Sequence, residues 1–276
     1  MKRSLKWLLF GAALGALFVA ERRRPLRRQR EPGPERVGRN LTIGLLAAAT
    51  TAAAEMPIVA PVQRLAERRR LGLLRQLSMP RALRVVLGFL LLDYTLYLWH
   101  RLNHHAPFLW RFHAVHHVDL DLDSTTGVRF HFGELAIASG FRALQVLLIG
   151  VDRETLRLWQ QMLLVSVVFH HSNLELPIAV EQGLNAVVVT PRMHGIHHST
   201  RAAETDSNFS SLLSCWDRVH RSLRLDVPQA AITIGVPGFA EPEAVTLERS
   251  LMLPFHRDPR LLPPAGADPR PEADPA

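Results

Sequence analysis

Apolar residues recur along the chain in five blocks, separated by polar stretches rich in arginine or histidine. The first block, Ser4–Ala20, has a clean apolar part, Trp7–Ala20, of only 14 residues. That is shorter than the roughly 20 residues of a membrane-spanning helix, although Lys6 can extend it by snorkelling. Signal-peptide cleavage after Ala20 requires a small residue at position 18, where Phe18 stands, so an uncleaved anchor helix is expected. Leu41–Val62 is of spanning length with Glu55 as its only charge, and Pro57 and Pro61 are expected to kink or end its helix. Val85–Trp99 carries one charge, Asp93. Leu135–Val151 and Leu156–Phe169 are short and contain Arg142 and Arg157. They read as a membrane-inserted hairpin or as buried helices, including core helices of a water-soluble domain. Arg257–Ala276, with six prolines and no aromatic residue, lacks the apolar surface to order itself and is expected to be a disordered tail.

Charge sharpens this outline. The chain of 276 residues carries a net charge of +8, which invites a nucleic-acid reading. The charge is unevenly spread: residues 1–84 hold 18 Lys and Arg against 5 Asp and Glu, and the remainder holds 15 against 20. The basic residues gather in Glu21–Arg39 and Arg64–Arg84, each beside an apolar block. That is the pattern of loops flanking a membrane and meeting anionic head groups. Glu21–Arg39 has no aromatic residue on which a base would stack, so no nucleic-acid partner is expected. A single span at 41–62 would separate the two basic runs. Either that segment is a re-entrant hairpin or one run departs from the positive-inside rule. One cysteine, Cys215, excludes an intrachain disulfide framework and a CxxC site.

The chemistry lies in the histidines. Of 14, 12 fall between His100 and His198. His100 and His104 form HxxxH; His113, His116 and His117 form HxxHH; His170 and His171 stand in FHHSN; His194, His197 and His198 form a second HxxHH. His131 stands alone. On a helix, positions i, i+3 and i+4 share a face, so each motif directs two or three imidazoles toward one point. Clustered neutral imidazoles suit iron, zinc, copper or nickel, and about ten candidate ligands exceed the four of one structural zinc site. Two metal ions are expected. Asp93, Tyr97, His100 and His104 follow at steps of 4, 3 and 4, which places Asp93 to orient a ligand from behind.

Hydrolysis at zinc competes with O₂ chemistry at iron. No HExxH, soluble di-iron ExxH, GxSxG or Walker A motif is present. No flavin or dinucleotide fingerprint is present either, so an oxidase needs a separate electron donor. A metal transporter and a non-catalytic or zinc-binding lipid-binding protein remain alternatives.

The run Leu92–Asp119 (LDYTLYLWHRLNHHAPFLWRFHAVHHVD) resembles the fatty acid hydroxylase superfamily, most closely its bacterial sterol-desaturase-like members. The similarity continues through TTGVRFHFGE at 125–134, FHHSNLELP at 169–177, VTPRMHGIHHS at 189–199 and DSNFSSLLSCWDR at 206–218. It implies an all-α integral membrane protein carrying a His-rich helical cap, lying in a bacterial inner membrane with the cap facing the cytoplasm. It also implies a non-haem di-iron centre that uses O₂ and two electrons to hydroxylate or desaturate a lipid C–H bond. The electron donor would be a reductase, ferredoxin or cytochrome, and zinc would be a substitute metal in purified protein. The ligand positions it implies are His100, His104, His113, His116, His117, His131, His171, His194, His197 and His198; His105 and His170 are neighbours outside the set. Glu134, Asn173, Asn208 and Asp217 fall on supporting positions. Phe209 and His220 depart from the family's usual aromatic residues. The chain then divides into an anchor region at 1–84, a catalytic domain at 85–225, an extension at 226–256 and the tail.

Overall fold

The computed structural model describes residues 2–256, Asp258 and Leu261; the rest of the expected tail lies outside the described residues. Among the described residues every regular element is helical, and extended pairing is limited to isolated bridges such as Pro25 with Leu174. Helix α1 (Lys2–Arg23) is followed by α2 (Pro34–Ala54), which continues through a π turn at Glu55–Val59 into α3 (Ala60–Arg69). A single turn, α4 (Leu73–Gln76), leads to α5 (Arg81–His105) and α6 (Pro107–His117). Helices α7 (Phe132–Ile149) and α8 (Arg153–His171) follow, and each packs on α5. Short helices follow: α9 (Ile178–Asn185), α10 (Pro191–His197), α11 (Ala202–Thr205), α12 (Cys215–Val219) and α13 (Leu247–Met252).

Neither proline ends the second apolar helix. Pro57 falls in the π turn, whose widened backbone accommodates a residue with no N–H. Pro61 falls directly after the π turn, in the first turn of α3. The helix is therefore continuous from Pro34 to Arg69, with no hairpin turn inside it. Pro34–Gln76, which contains it, is one of three described helices long and apolar enough to cross a membrane, with Arg81–His105 and Phe132–Ile149. Helix α8, capped by Asp152 accepting from Thr155 N at 2.7 Å, packs beside α5 and completes the bundle. Leu45, Val86, Leu148 and Val165 are each more than half exposed on its outer face, as a lipid-facing surface requires. Helix α7, at about 1.5 Å per residue, is roughly 27 Å long, close to the hydrocarbon thickness.

The bundle has two distinct ends. At one, the turn after α3 meets the turn after α7. Gly72 and Gly150 both have positive φ, and a Cβ on Gly72 would lie 2.3 Å from Gly150 N. Glycine is therefore required at this crossing. Gln63 donates to Val151 O at 2.8 Å, and a core of Val59, Leu74, Leu92, Val146, Leu156 and Trp159 fills this end. At the other end sits the cap. Its core joins Trp110, Val115 and Val118 of α6 and the turn after it to Val236, Phe239, Val245 and Leu253, so residues beyond 226 are part of the cap.

The two arginine runs lie at opposite ends of the bundle, and the first is not only a membrane flank. Arg36, fully buried, gives Nε and Nη2 to Asp119 at 2.8 Å each, Nη1 to Asp123 at 2.6 Å and Nη2 to Thr126 Oγ1 at 2.8 Å. Arg39 pairs with Glu31 at 2.7 Å, and the Asp121 carboxylate accepts from the backbone N–H of Arg30 and Glu31. Glu21 accepts from Ser124 and from Asn173 N. The segment 21–40 is thus sewn to the loop Asp119–Thr126 that follows α6, across the boundary expected at residue 84. Burial alone would raise the Asp119 carboxyl, yet Arg36 and then Arg129 pull it down to about 2.

Arg36→Met leaves Asp119 and Asp123 without their cation and is expected to destabilise the protein by about 3–5 kcal/mol. Thermal unfolding of the detergent-solubilised chain at pH 7 reads this, and an unchanged midpoint contradicts it. The Asp119 contribution is fully present above its ordinary value of 3.8 and is lost as pH falls through about 2. Wild type and Asp119→Asn are therefore expected to converge only in strongly acidic buffer.

Candidate metal centre

Four helices deliver the imidazoles. His100 and His104 share a face near the end of α5, and His113, His116 and His117 occupy the second half of α6. Helix α8 ends on His171, and α10 carries His194 and His197 with His198 just beyond. Pro107 and Pro191 each open a short helix in the turn where a missing N–H is harmless, which fixes where the motif starts.

These side chains meet as two groups. His100, His104, His113, His117 and His197 form one; His116, His171, His194 and His198 form the other. Within each group the candidate ligand atoms lie within 4.8 Å of one another, and all nine residues are buried. Burial holds His117, His194 and His198 well below the usual imidazole range, with repulsion from neighbouring rings adding to it. It takes His197 down to about 3. These rings are neutral near pH 7, and each neutral ring has one N–H and one lone pair.

Which nitrogen carries the proton follows from the partners. His100 Nδ1 lies 2.7 Å from Phe209 O, His197 Nδ1 2.7 Å from Ser207 O and His171 Nδ1 2.7 Å from Val167 O. A carbonyl only accepts, so each Nδ1 donates. His113 Nδ1 donates to Glu134 Oε1 at 2.8 Å. The lone pairs are therefore on Nε2, and those atoms face one another. His100 Nε2 is 3.1 Å from both His113 Nε2 and His197 Nε2. His171 Nε2 is 2.9 Å from His116 Nε2 and 3.0 Å from His194 Nε2. Opposed lone pairs repel, and a shared cation turns the same arrangement into ligation. Two nitrogens each about 2.1 Å from one ion and at right angles are about 3.0 Å apart. The Nδ1 partners are the carbonyls and carboxylate that orient metal-binding histidines in general. The donor set therefore fits two imidazole-bound metal ions.

The expected supporting residues divide by what they touch. Glu134 orients His113 directly. Asp217 accepts from Phe209 N and Ser210 N, both at 2.9 Å, and so holds the Phe209 carbonyl that orients His100. Asn208, at φ 55°, donates to Met193 O and Arg224 O, tying α10 to the chain after α12. Asn173 exchanges hydrogen bonds with the Arg27 backbone and anchors the N-terminal segment beside His171. Asp93 departs from expectation: it accepts from Trp216 Nε1 at 2.7 Å and Leu213 N at 3.1 Å and orients no imidazole. It fixes the 213–216 turn against α5.

His131 also departs. Its Nδ1 accepts from Gly133 N at 3.0 Å as the cap of α7, and its Nε2 donates to Leu251 O at 3.1 Å. With both ring nitrogens committed to backbone, it stands outside both groups. His105 is exposed. His170 is buried with its ring centroid 4.2 Å from that of His194. His220 stacks on Tyr94 and Tyr97. Phe209 packs edge-on against His100, His104 and His197 as an apolar cover. The Arg36–Asp119 network was not anticipated. Its one sequence signal is the alternating Asp119, Asp121 and Asp123 directly after HxxHH.

A cavity of roughly 180 Å³ runs from the imidazoles down between α5, α7 and α8. His100, His113, His116, His171 and His194 line its upper end, and Leu96, Phe141 and Leu163 its lower walls. That is below the roughly 300–1,000 Å³ of ordinary ligand sites, so it suits a segment of a chain and not a whole lipid.

Residues 85–222 match the fatty acid hydroxylase family. The chain is 30% identical over 160 residues to the ornithine lipid hydroxylase OlsE of Rhizobium tropici, covering 58% of this chain and 47% of that protein. It is 26% identical over 148 residues to human cholesterol 25-hydroxylase, covering 51% of each. A cholesterol 25-hydroxylase-like protein of Danio rerio is 27% identical over 157 residues, covering 53% of this chain and 59% of that one. The chain thus spans about half the length of the curated relatives it matches. No solved structure matches it.

The two groupings make separable predictions. His104→Ala and His198→Ala each disturb one group, and each is expected to lower bound metal from about two ions per chain toward one. His131→Ala is expected to keep both ions but to destabilise the start of α7 by about 0.5–2 kcal/mol through loss of its cap. Elemental analysis together with thermal unfolding distinguishes these results. Loss of metal in the His131 variant without loss of stability contradicts the assignment.

Proposed function

The chain belongs to the fatty acid hydroxylase family, and from that premise we propose that it is a membrane-bound oxidoreductase that hydroxylates or desaturates a lipid at a di-iron centre. The observation that carries this reading is the convergence of imidazole nitrogens in two buried groups at the head of an apolar cavity. His100, His104, His113, His117 and His197 would hold one iron; His116, His171, His194 and His198 would hold the other. Imidazole ligands suit iron as well as zinc, and zinc has no redox chemistry. When bound, the iron pair supplies O₂ activation, using two electrons from outside the chain.

The chain's own residues do the rest. Glu134 and the carbonyls of Phe209, Ser207 and Val167 hold the imidazoles in the tautomer that presents Nε2. Phe209 and Trp110 pack against the rings of the first group and exclude water from them. The cavity walls from α5, α7 and α8 bind and orient the lipid chain where the bundle meets the cap. The electron donor, a reductase, ferredoxin or cytochrome, would dock on the cap. The cap would face the cytoplasm of a bacterial inner membrane. Transport is disfavoured because all nine imidazoles gather at one end of the bundle and form no file through the spans.

The test uses the full chain in detergent or nanodiscs, loaded with iron and supplied with a chemical reductant, O₂ and a bacterial lipid extract. A lipid with one added oxygen atom or one new double bond is expected, formed in step with O₂ consumption. His116→Ala and His197→Ala are expected to lose iron and turnover together. A protein that binds only zinc and consumes no O₂, or variants that keep turnover, contradict the reading.

A further inference from the structure

Both tyrosines of the chain, Tyr94 and Tyr97, lie on α5 beside the first histidine group. Tyr97 is fully buried, whereas Tyr94 is partly exposed. His220 stacks on both, with ring centroids 5.7 Å from Tyr94 and 4.8 Å from Tyr97. Outward, Tyr94 lies 5.0 Å from Trp216, which is also partly exposed. Inward, Tyr97 lies 6.3 Å from Phe209, whose ring is 5.9 Å from His100 and 5.3 Å from His104. Aromatic rings therefore run in unbroken contact from the surface to the first group.

Their polar atoms are directed as well. The Ser222 hydroxyl donates to the Asp217 carboxylate at 2.6 Å. Its one proton is thereby used, so the 2.9 Å contact with Tyr97 is a hydrogen bond donated by the phenol. Trp216 likewise gives its indole N–H to the Asp93 carboxylate at 2.7 Å. A ring that loses an electron becomes strongly acidic, and a carboxylate at the end of its donated hydrogen bond stabilises that state.

We propose that Trp216, Tyr94 and Tyr97, bridged by His220 and Phe209, form a relay that carries single electrons from the surface to the first metal group when O₂ has reacted there with no lipid in place. The relay rests on the oxidoreductase reading above and adds a second electron source, a small diffusible reductant such as a thiol or ascorbate. Reducing O₂ to water without a lipid leaves two electrons to be found beyond those of the iron pair. Each leaves Tyr97 for the centre, while the phenol proton passes to Ser222 and Ser222 gives its own to Asp217. The phenoxyl radical takes an electron from Tyr94 or Trp216 and recovers its proton by the same route. The reductant then restores the outer ring and releases a proton to solvent, which supplies the protons of the water formed. Without this route the oxidant would be spent on the imidazoles around it. Trp110 also touches the first group, 5.0 Å from His104, but no tyrosine or second tryptophan stands among its core neighbours.

Two measurements on the full-length protein test the relay. In zinc-loaded protein a ruthenium photo-oxidant with persulfate creates the hole from outside, and electron paramagnetic resonance reads the radical. Tyr97 is too deeply buried to meet that oxidant directly. In Tyr94→Phe the only tyrosine left is Tyr97, and its radical is expected to form; adding Trp216→Phe is expected to abolish it. In iron-loaded, reduced protein in detergent, exposed to O₂ without lipid, wild type is expected to show a tyrosyl radical that ascorbate removes. Tyr97→Phe is expected to keep its iron but to accumulate oxidised histidine at positions 100, 104 and 197, read by peptide mass spectrometry. Absence of the Tyr97 radical after photo-oxidation, its survival in the double variant, a radical on Trp110, or equal histidine oxidation in wild type and Tyr97→Phe overturns the proposal. Photochemical relay without any O₂ consumption would sink the hydroxylase reading alone. Lipid oxidation without a Tyr97 radical in either measurement would sink the relay alone.

Discussion

A neutral imidazole has one donor and one lone pair, and in His100, His113, His171 and His197 the donor is spoken for. Carbonyls at 167, 207 and 209 and the Glu134 carboxylate take the Nδ1 protons. The remaining lone pairs are left no direction but toward one another. That constraint suits the histidines to holding metal ions better than to serving as a polar core. It also explains why the surroundings are so closely determined. Asp217 steadies the backbone that orients His100, the His131 cap sets the start of the helix bearing Glu134, and Asn208 ties down the helix bearing His194 and His197. Each of these contacts acts on the direction of a lone pair.

A second constraint works at larger scale. The cap is built from segments far apart in sequence, and its loop after α6 carries three aspartates. Buried carboxylates need cations, and Arg36 reaches two of them, Asp119 and Asp123, from the N-terminal region. The basic excess of residues 1–84 therefore has two uses. At the far end of the bundle the arginines between 64 and 84 flank the membrane segments. At the cap end Arg36 and its neighbours hold the histidine-bearing fold together. The ion pairs join the anchor to the cap, so the N-terminal helices and the site stand or fall as one unit.

Much of this was legible as pattern. The HxxxH and HxxHH spacings put imidazoles on single helix faces, and those are the faces that meet. The apolar blocks mark the helices of the bundle. What escaped depends on partners distant in sequence. A lone histidine such as His131 has no neighbour at helical spacing to declare its role, and only Leu251 and the α7 terminus reveal that it is a cap. Asp93 sits on the same stripe as His100 and His104, yet Trp216, 123 residues away in sequence, takes its carboxylate. Pro57 reads locally as a helix breaker, yet it sits in a π turn that packs on α7.

X-ray absorption at the iron edge of the iron-loaded, full-length protein tests the central claim most directly. Two irons per chain are expected, with a first shell dominated by nitrogen at about 2.1 Å and the outer-shell scattering of several imidazoles. One iron per chain, or a shell dominated by carboxylate oxygen or sulfur, would contradict the account.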